Sequence, residues 1–276
     1  MEEIDLDLPS GRVHAFVHGP ADGSAVLCVH GLSSNGHAYD GIAAGLPDRR
    51  VVALDLRGRG RSDITPPGTY GLAAHAADVG AAATVLGIDV FDYIGWSMGA
   101  LIGVIGASGV WQGGRLRRLV LLDHCGLMDD AATTAVTASL GRLDLVADTP
   151  EAYLETVRAG GAVEAWGPFW DTHYRYELEA TDDGRVTPRT SRIACQEDLD
   201  FFVAEDWHAR WGRIAAPTLL VRAARPFNGG FIVPEAERDG FVAAAAGTVD
   251  VVEIDANHFD LITEDGTIAA VVDHLA

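Results

Sequence analysis

The chain has 276 residues, 48% of them hydrophobic and 22% charged, which allows a sizeable core and argues against disorder. Forty acidic residues against twenty basic ones give a formal net charge of −20, and all twenty basic residues are Arg. Such a field repels phosphate backbones and anionic lipid surfaces, so neither nucleic acid nor a membrane is expected as a partner; a GC-rich genome and salt adaptation would each account for the bias.

The N-terminal run Met1-Glu2-Glu3-Ile4-Asp5 lacks the basic start and apolar core of a signal peptide. No apolar run approaches the roughly 18 residues of a membrane span. Ile4, Leu6 and Leu8 alternate with acidic residues, Ser10-Gly11 turns the chain, and alternation resumes over 13–17, predicting a two-stranded antiparallel start. Ala25-Val26-Leu27-Cys28-Val29 is a continuous apolar run, as in a strand buried on both faces, and it ends at His30-Gly31. A helical stretch over 36–46 leads to a second run, Val51-Val52-Ala53-Leu54-Asp55. The loop Arg57-Gly58-Arg59-Gly60-Arg61-Ser62-Asp63 follows.

Residues 72–86 are Ala-rich and helical in character. Residues 90–94 form a strand that runs into Gly95-Trp96-Ser97-Met98-Gly99, and an apolar helix continues over 100–110. Leu119-Val120-Leu121-Leu122 is another buried strand, ending at Asp123. Residues 124–213 then show no convincing buried strand but many aromatics, which predicts a mainly helical insertion with a hairpin or loop near Asp182-Asp183-Gly184. Strands resume at 217–221 and 249–254, and a helix closes the chain over 266–275. Strands alternating with helices at this spacing imply a mostly parallel sheet with helices on both faces.

The pentapeptide around Ser97 fits G-x-S-x-G. A serine at a sharp strand-to-helix turn sits on strained backbone, flanking glycines allow close approach, and the helix N-terminus behind it faces the reacting oxygen. His30-Gly31-Leu32 follows the third strand, where the Leu32 N–H, with that of Met98, would donate to a developing oxyanion. His258, in Asp255-Ala256-Asn257-His258-Phe259 after the last strand, is the expected base. A carboxylate is required to fix the tautomer of His258, and Asp123, Glu235 and Asp206 are the candidates.

These segments together resemble the α/β-hydrolase superfamily: Val29-His30-Gly31, Asp55-Leu56-Arg57-Gly58-Arg59-Gly60-Arg61-Ser62, the Ser97 elbow and Asn257-His258. The resemblance covers 1–123 and 214–276 and implies an eight-stranded, mostly parallel sheet forming the core, with 124–213 as a helical cap. It implies a triad acid after the seventh or the sixth strand, and since 222–228 after the seventh contains no acid, the expected residue is Asp123 after the sixth. It also implies that the Arg57–Asp63 loop is mainly structural. A dinucleotide fingerprint is excluded, since no helix follows the loop in register. Trp96, His37, His124, Cys125 and Trp166 are the expected pocket residues.

Cys28, Cys125 and Cys195 are odd in number and widely spaced, so neither disulfides nor a metal site is expected, and the reading is a cytoplasmic protein. No cofactor is expected, and a homodimer is left open. The expected activity is hydrolysis of a carboxylic ester or lactone of a small apolar or ring-bearing molecule through an acyl-enzyme. The alternatives are hydrolysis of a carbon–carbon bond beside a ketone, cofactor-free ring-cleaving dioxygenation, and a non-catalytic ligand receptor on the same scaffold. An elbow Asp would have indicated a dehalogenase or epoxide hydrolase, and the elbow here holds Ser97.

Overall fold

A computed structural model describes residues 1–111 and 115–276. Its strands are β1 (Glu2–Leu8), β2 (Gly11–His18), β3 (Ser24–Val29), β4 (Arg49–Leu54), β5 (Val90–Trp96), β6 (Arg115–Leu122), β7 (Leu178–Ala180), β8 (Val186–Pro188), β9 (Thr218–Ala223) and β10 (Val249–Ile254). Among the described residues, eight of them make one sheet in the order β1-β2-β4-β3-β5-β6-β9-β10. The pairs β1/β2 and β2/β4 are antiparallel, and all the other neighbours run parallel.

The continuous apolar runs are explained by burial on both faces. Leu27, Val29, Val52, Leu54, Tyr93 and Leu121 enter one core cluster. The residues that alternate with them, Val26, Cys28, Val51, Ala53, Ile94 and Val120, enter the other. Helices Leu72–Val85 and Met98–Ile105 cover the first face, and Asp40–Ala44 and Asp265–Leu275 cover the second.

Strand β3 has β4 on one side and β5 on the other, so the connections after β3 and β5 diverge. That divergence opens a crevice at the C-terminal ends of the strands, where open α/β sheets place their ligands. Between β6 and β9 lie helices Asp130–Ser139, Pro150–Ala159, Pro168–Tyr176, Arg192–Ala204 and His208–Trp211, together with the antiparallel β7/β8 pair. Local sequence starts two of these helices: the side chains of Thr149 and Ser191 accept from the amides of Ala152 and Ala194, and Pro150 occupies the first turn. No helix of the described residues is long and apolar enough to cross a membrane.

Candidate active site

Four parallel strands end side by side, and the residues just beyond them meet. Val29 pairs with Gly95, Trp96 with Leu122, and Leu122 with Val221. Ser97 therefore follows β5 at the level where Asp123 follows β6. Ser97 has φ 57° and ψ −122°, a conformation that costs a non-glycine residue about 1–3 kcal/mol. Its N–H donates to Leu122 O at 2.9 Å, and its carbonyl accepts from Ala100 N at 2.9 Å, so strand and helix hold the turn from both ends. A Cβ on Gly99 would lie 1.8 Å from Val29 O, which explains the second glycine of the elbow.

Asp123 is also left-handed, with φ 52°, and is almost fully buried. Its Oδ1 accepts from Ala223 N at 2.9 Å, and its Oδ2 accepts the Nδ1–H of His258 at 2.7 Å. The Nε2 of His258 then accepts from Ser97 Oγ at 2.9 Å. Trp96 holds the histidine loop, donating from Nε1 to His258 O at 3.2 Å and stacking on its ring at 5.5 Å. Asn257 Oδ1 accepts from the amides of Phe259 and Asp260, closing the turn after β10. Neither of the alternative acids meets His258: Asp206 accepts from Ala209 N, and Glu235 opens helix Glu235–Ala244.

On the other side of Ser97, a Cβ on Gly31 would lie 3.2 Å from Ser97 Cβ, so the 30–32 loop passes directly against the serine. Leu56 N–H donates to His30 Nε2 at 3.0 Å, which places the ring proton on Nδ1, 2.7 Å from Gly31 O. Burial pushes the His30 pKa down to about 3, so the ring is neutral. It thus ties the peptide that carries the Leu32 N–H to the loop after β4. Among the described residues, the N–H groups of Leu32 and Met98 have no protein acceptor.

A cavity of about 670 Å³ opens over these groups and is bordered by Leu32, Trp96, Ser97 and His258 from the sheet side. The insertion contributes Val136, Arg142, Leu145, Val157, His173 and Tyr174. A second space of about 30 Å³ adjoins Ser97 and Met98 and is bordered by His124, Leu101 and Phe202. Of the expected pocket residues, Trp96 borders the large cavity and His124 the small one. Burial, reinforced by His258, pushes the His124 pKa down to about 3.

The expectation fails for His37, Cys125 and Trp166, none of which borders either cavity. His37 lies in the turn Gly36–Tyr39, which directs its Nδ1 to Asp40 at 2.8 Å and its ring against Phe16 and Tyr176. Cys125 is buried in the core, where its carbonyl accepts from Trp211 Nε1 at 2.8 Å. Trp166 stacks behind Tyr174 at 5.4 Å and donates to Asp171, one layer away from the cavity.

Sequence reasoning missed Arg142, His173 and Tyr174, which have no spacing relation to the elbow. It also missed the partner of Arg59. That guanidinium is fully buried, donating from Nε to Leu32 O at 2.9 Å and from Nη2 to Asp198 Oδ2 at 2.5 Å. Asp198, on helix Arg192–Ala204, also bonds His75 Nε2 at 3.0 Å and accepts from Gly71 N at 2.7 Å. Burial alone would raise the Asp198 pKa, but His75 and Arg59 hold it below the usual carboxylate range. The loop singled out in the sequence is thus structural: Arg57 pairs with buried Asp78, and Arg59 couples the insertion to the 30–32 loop.

The alpha/beta hydrolase fold family matches residues 24–265 of the chain. The 3-hydroxybutyrate-oligomer hydrolase of Cupriavidus necator is 31% identical over 229 residues, 75% of this chain and 74% of the relative. The N-formylmaleamate deformylase of Pseudomonas putida is 37% identical over 113 residues, 41% of each chain. A solved structure of E-2-(acetamidomethylene)succinate hydrolase superposes with a TM-score of 0.87 at 20% identity, covering 99% of this chain and 98% of that one. At that identity the superposition speaks for the fold alone.

Proposed function

From the premise that the chain belongs to the alpha/beta hydrolase fold family and is a hydrolase, we propose that it is a serine hydrolase of carboxylic esters or lactones. The observation that carries this reading is the unbroken hydrogen-bonded line Ser97–His258–Asp123 bordering the cavity. His258 Nε2 takes the proton of Ser97 Oγ as the oxygen attacks the carbonyl carbon. Asp123 keeps Nδ1 protonated and stabilises the cation that forms. The free N–H groups of Leu32 and Met98 donate to the oxyanion, and the imidazolium returns its proton to the leaving alkoxide. A water molecule then repeats the sequence on the acyl-enzyme, so ester and water become acid and alcohol.

The two spaces flanking Ser97 differ greatly in size, which favours a substrate with one small substituent at the carbonyl and one larger apolar portion. The insertion acts as the cap over that larger portion. The relatives' names, one for hydrolysis of 3-hydroxybutyrate oligomers and one for removal of a formyl group, support hydrolysis at a carbonyl carbon. A fluorophosphonate probe followed by intact-mass measurement tests the reading: wild type should gain one adduct and Ser97→Ala none. Wild type that stays unlabelled, turns over no ester, lactone or β-diketone and consumes oxygen with a heterocyclic phenol would overturn it.

A further inference from the structure

We infer that Arg142 forms a carboxylate-recognition subsite in the cavity, so that the preferred ester or lactone bears a free carboxylate a few bonds from the scissile carbonyl; this rests on the hydrolase reading above. Among the described residues bordering the 670 Å³ cavity, Arg142 is the one Asp, Glu, Lys or Arg side chain. The rest of the wall is apolar or neutral. A lone guanidinium there sets a polar requirement on one end of an otherwise apolar ligand.

The orientation of that guanidinium is held by its surroundings. Nη1 donates to Tyr153 OH at 2.5 Å and to the buried carboxylate of Glu177. Nη2 donates to Ser33 O and Ser33 Oγ, both at 3.2 Å, and the group lies over the Tyr174 ring at 5.3 Å. The Nε–H has no protein acceptor among the described residues, and the two Ser33 bonds are at the long end of the hydrogen-bond range. The Nε–H is therefore open to one carboxylate oxygen, and a forked arrangement forms when Nη2 exchanges one of its long Ser33 bonds for the second oxygen.

Position favours a short spacer. Ser33 stands two residues beyond Gly31, so the Arg142 anchor lies within about 7 Å of chain from the loop that touches Ser97. Ser34 and His173 border the same part of the cavity, with Ser34 Oγ 3.4 Å from His173 Nε2. Burial, reinforced by the charge of Arg142, keeps His173 neutral, so it adds polarity and no second cation. Glu177 neutralises Arg142 from behind, which makes recognition depend on directed hydrogen bonds more than on net attraction.

The test compares matched monoesters of succinate or glutarate, carrying a free carboxylate, with their neutral amide counterparts of equal length. Wild type should favour the carboxylate ester by at least roughly tenfold in kcat/KM, chiefly through KM. Arg142→Gln should bring that ratio close to one, and Arg142→Lys should restore part of it. Because Arg142→Gln strands the buried Glu177, the double variant Arg142→Gln/Glu177→Gln is measured beside it and should show the same lost ratio. A purely structural pin would lower both esters together and leave the ratio intact, and that result overturns the inference, as does a wild type without preference. If the wild type stays unlabelled, turns over no ester, lactone or β-diketone and consumes oxygen with a heterocyclic phenol, the hydrolase reading falls separately. Calorimetric binding of glutarate to Ser97→Ala, lost on adding Arg142→Gln, then decides the subsite: retained or absent binding rejects it.

Discussion

On the sheet side of the cavity, backbone conformation places the proposed reacting groups. Ser97 and Asp123 both sit at left-handed φ just past neighbouring parallel strands, and amide hydrogen bonds to Leu122 and Val221 lock them there. On the insertion side, the groups are placed by buried side-chain pairs between residues far apart in sequence: Arg142 with Glu177 and Ser33, and Arg59 with Asp198. The sheet side is rigid because the ladders that hold it are the fold itself. The insertion side is held by a few charge pairs outside the ladders, so it is where the cavity wall can change without displacing the proposed nucleophile.

The largest expected effect tests the sheet side. Asp123→Asn should lower kcat by about 10,000-fold, with the circular dichroism spectrum unchanged, because an amide fixes the wrong tautomer of His258. Near-normal turnover, with collapse in Glu235→Gln, would remove Asp123 from its role. Next comes the charge-pair wall. Arg59→Met leaves Asp198 buried with His75 and the Gly71 amide but without its guanidinium, and should cost about 3–5 kcal/mol in urea unfolding, most of it recovered by adding Asp198→Leu. A loss below about 1 kcal/mol would mean the pair does not hold the wall.

Acid should affect both walls. His30 and His124 are held near a pKa of about 3 by burial, and His173 is held well below 6.5 by burial and by Arg142. Unfolded chains protonate at the ordinary value of 6.5 while the folded rings stay neutral, so the unfolded state binds more protons as pH falls. Stability should therefore fall from about pH 6.5 toward the folded pKa, with a slope of up to about 1.4 kcal/mol per pH unit for each ring. Urea midpoints at pH 7.5, 6 and 5 check this, and His124→Gln should flatten the curve. The smallest effect concerns the tightest approach. Gly31→Ala puts a Cβ 3.2 Å from Ser97 Cβ and 3.6 Å from its Oγ, and should reduce kcat roughly tenfold while stability changes by about 1 kcal/mol or less. Unchanged kcat would show that the 30–32 loop yields more than its contacts suggest.

Much of the sheet side is legible from the chain alone. Residues buried on both faces of a parallel sheet are mostly apolar, so the uninterrupted runs at 25–29, 51–54 and 119–122 declare β3, β4 and β6; β5 is broken by the buried Asp92, which pairs with Arg49 and Arg117. A strained serine needs glycine neighbours, and an acid-free segment after β9 points back to Asp123, whose bond to His258 is present. These are local demands, and local demands leave motifs.

The cavity wall obeys no such rule. His37 and Cys125 are close to the site by chain position, and Trp166 is one of many aromatics of the insertion, yet a step of one or two residues turns a side chain to another face, and each ends outside the cavity. Arg142, His173 and Asp198 reach the site through contacts with Ser33, Ser34 and Arg59, each more than 100 residues away. Contacts at that separation impose no period on the sequence, because any arginine or histidine could serve if the packing brought it there. Composition and local pattern therefore determined the sheet, the elbow and the line of three catalytic candidates; the residues that border the cavity were decided by tertiary packing.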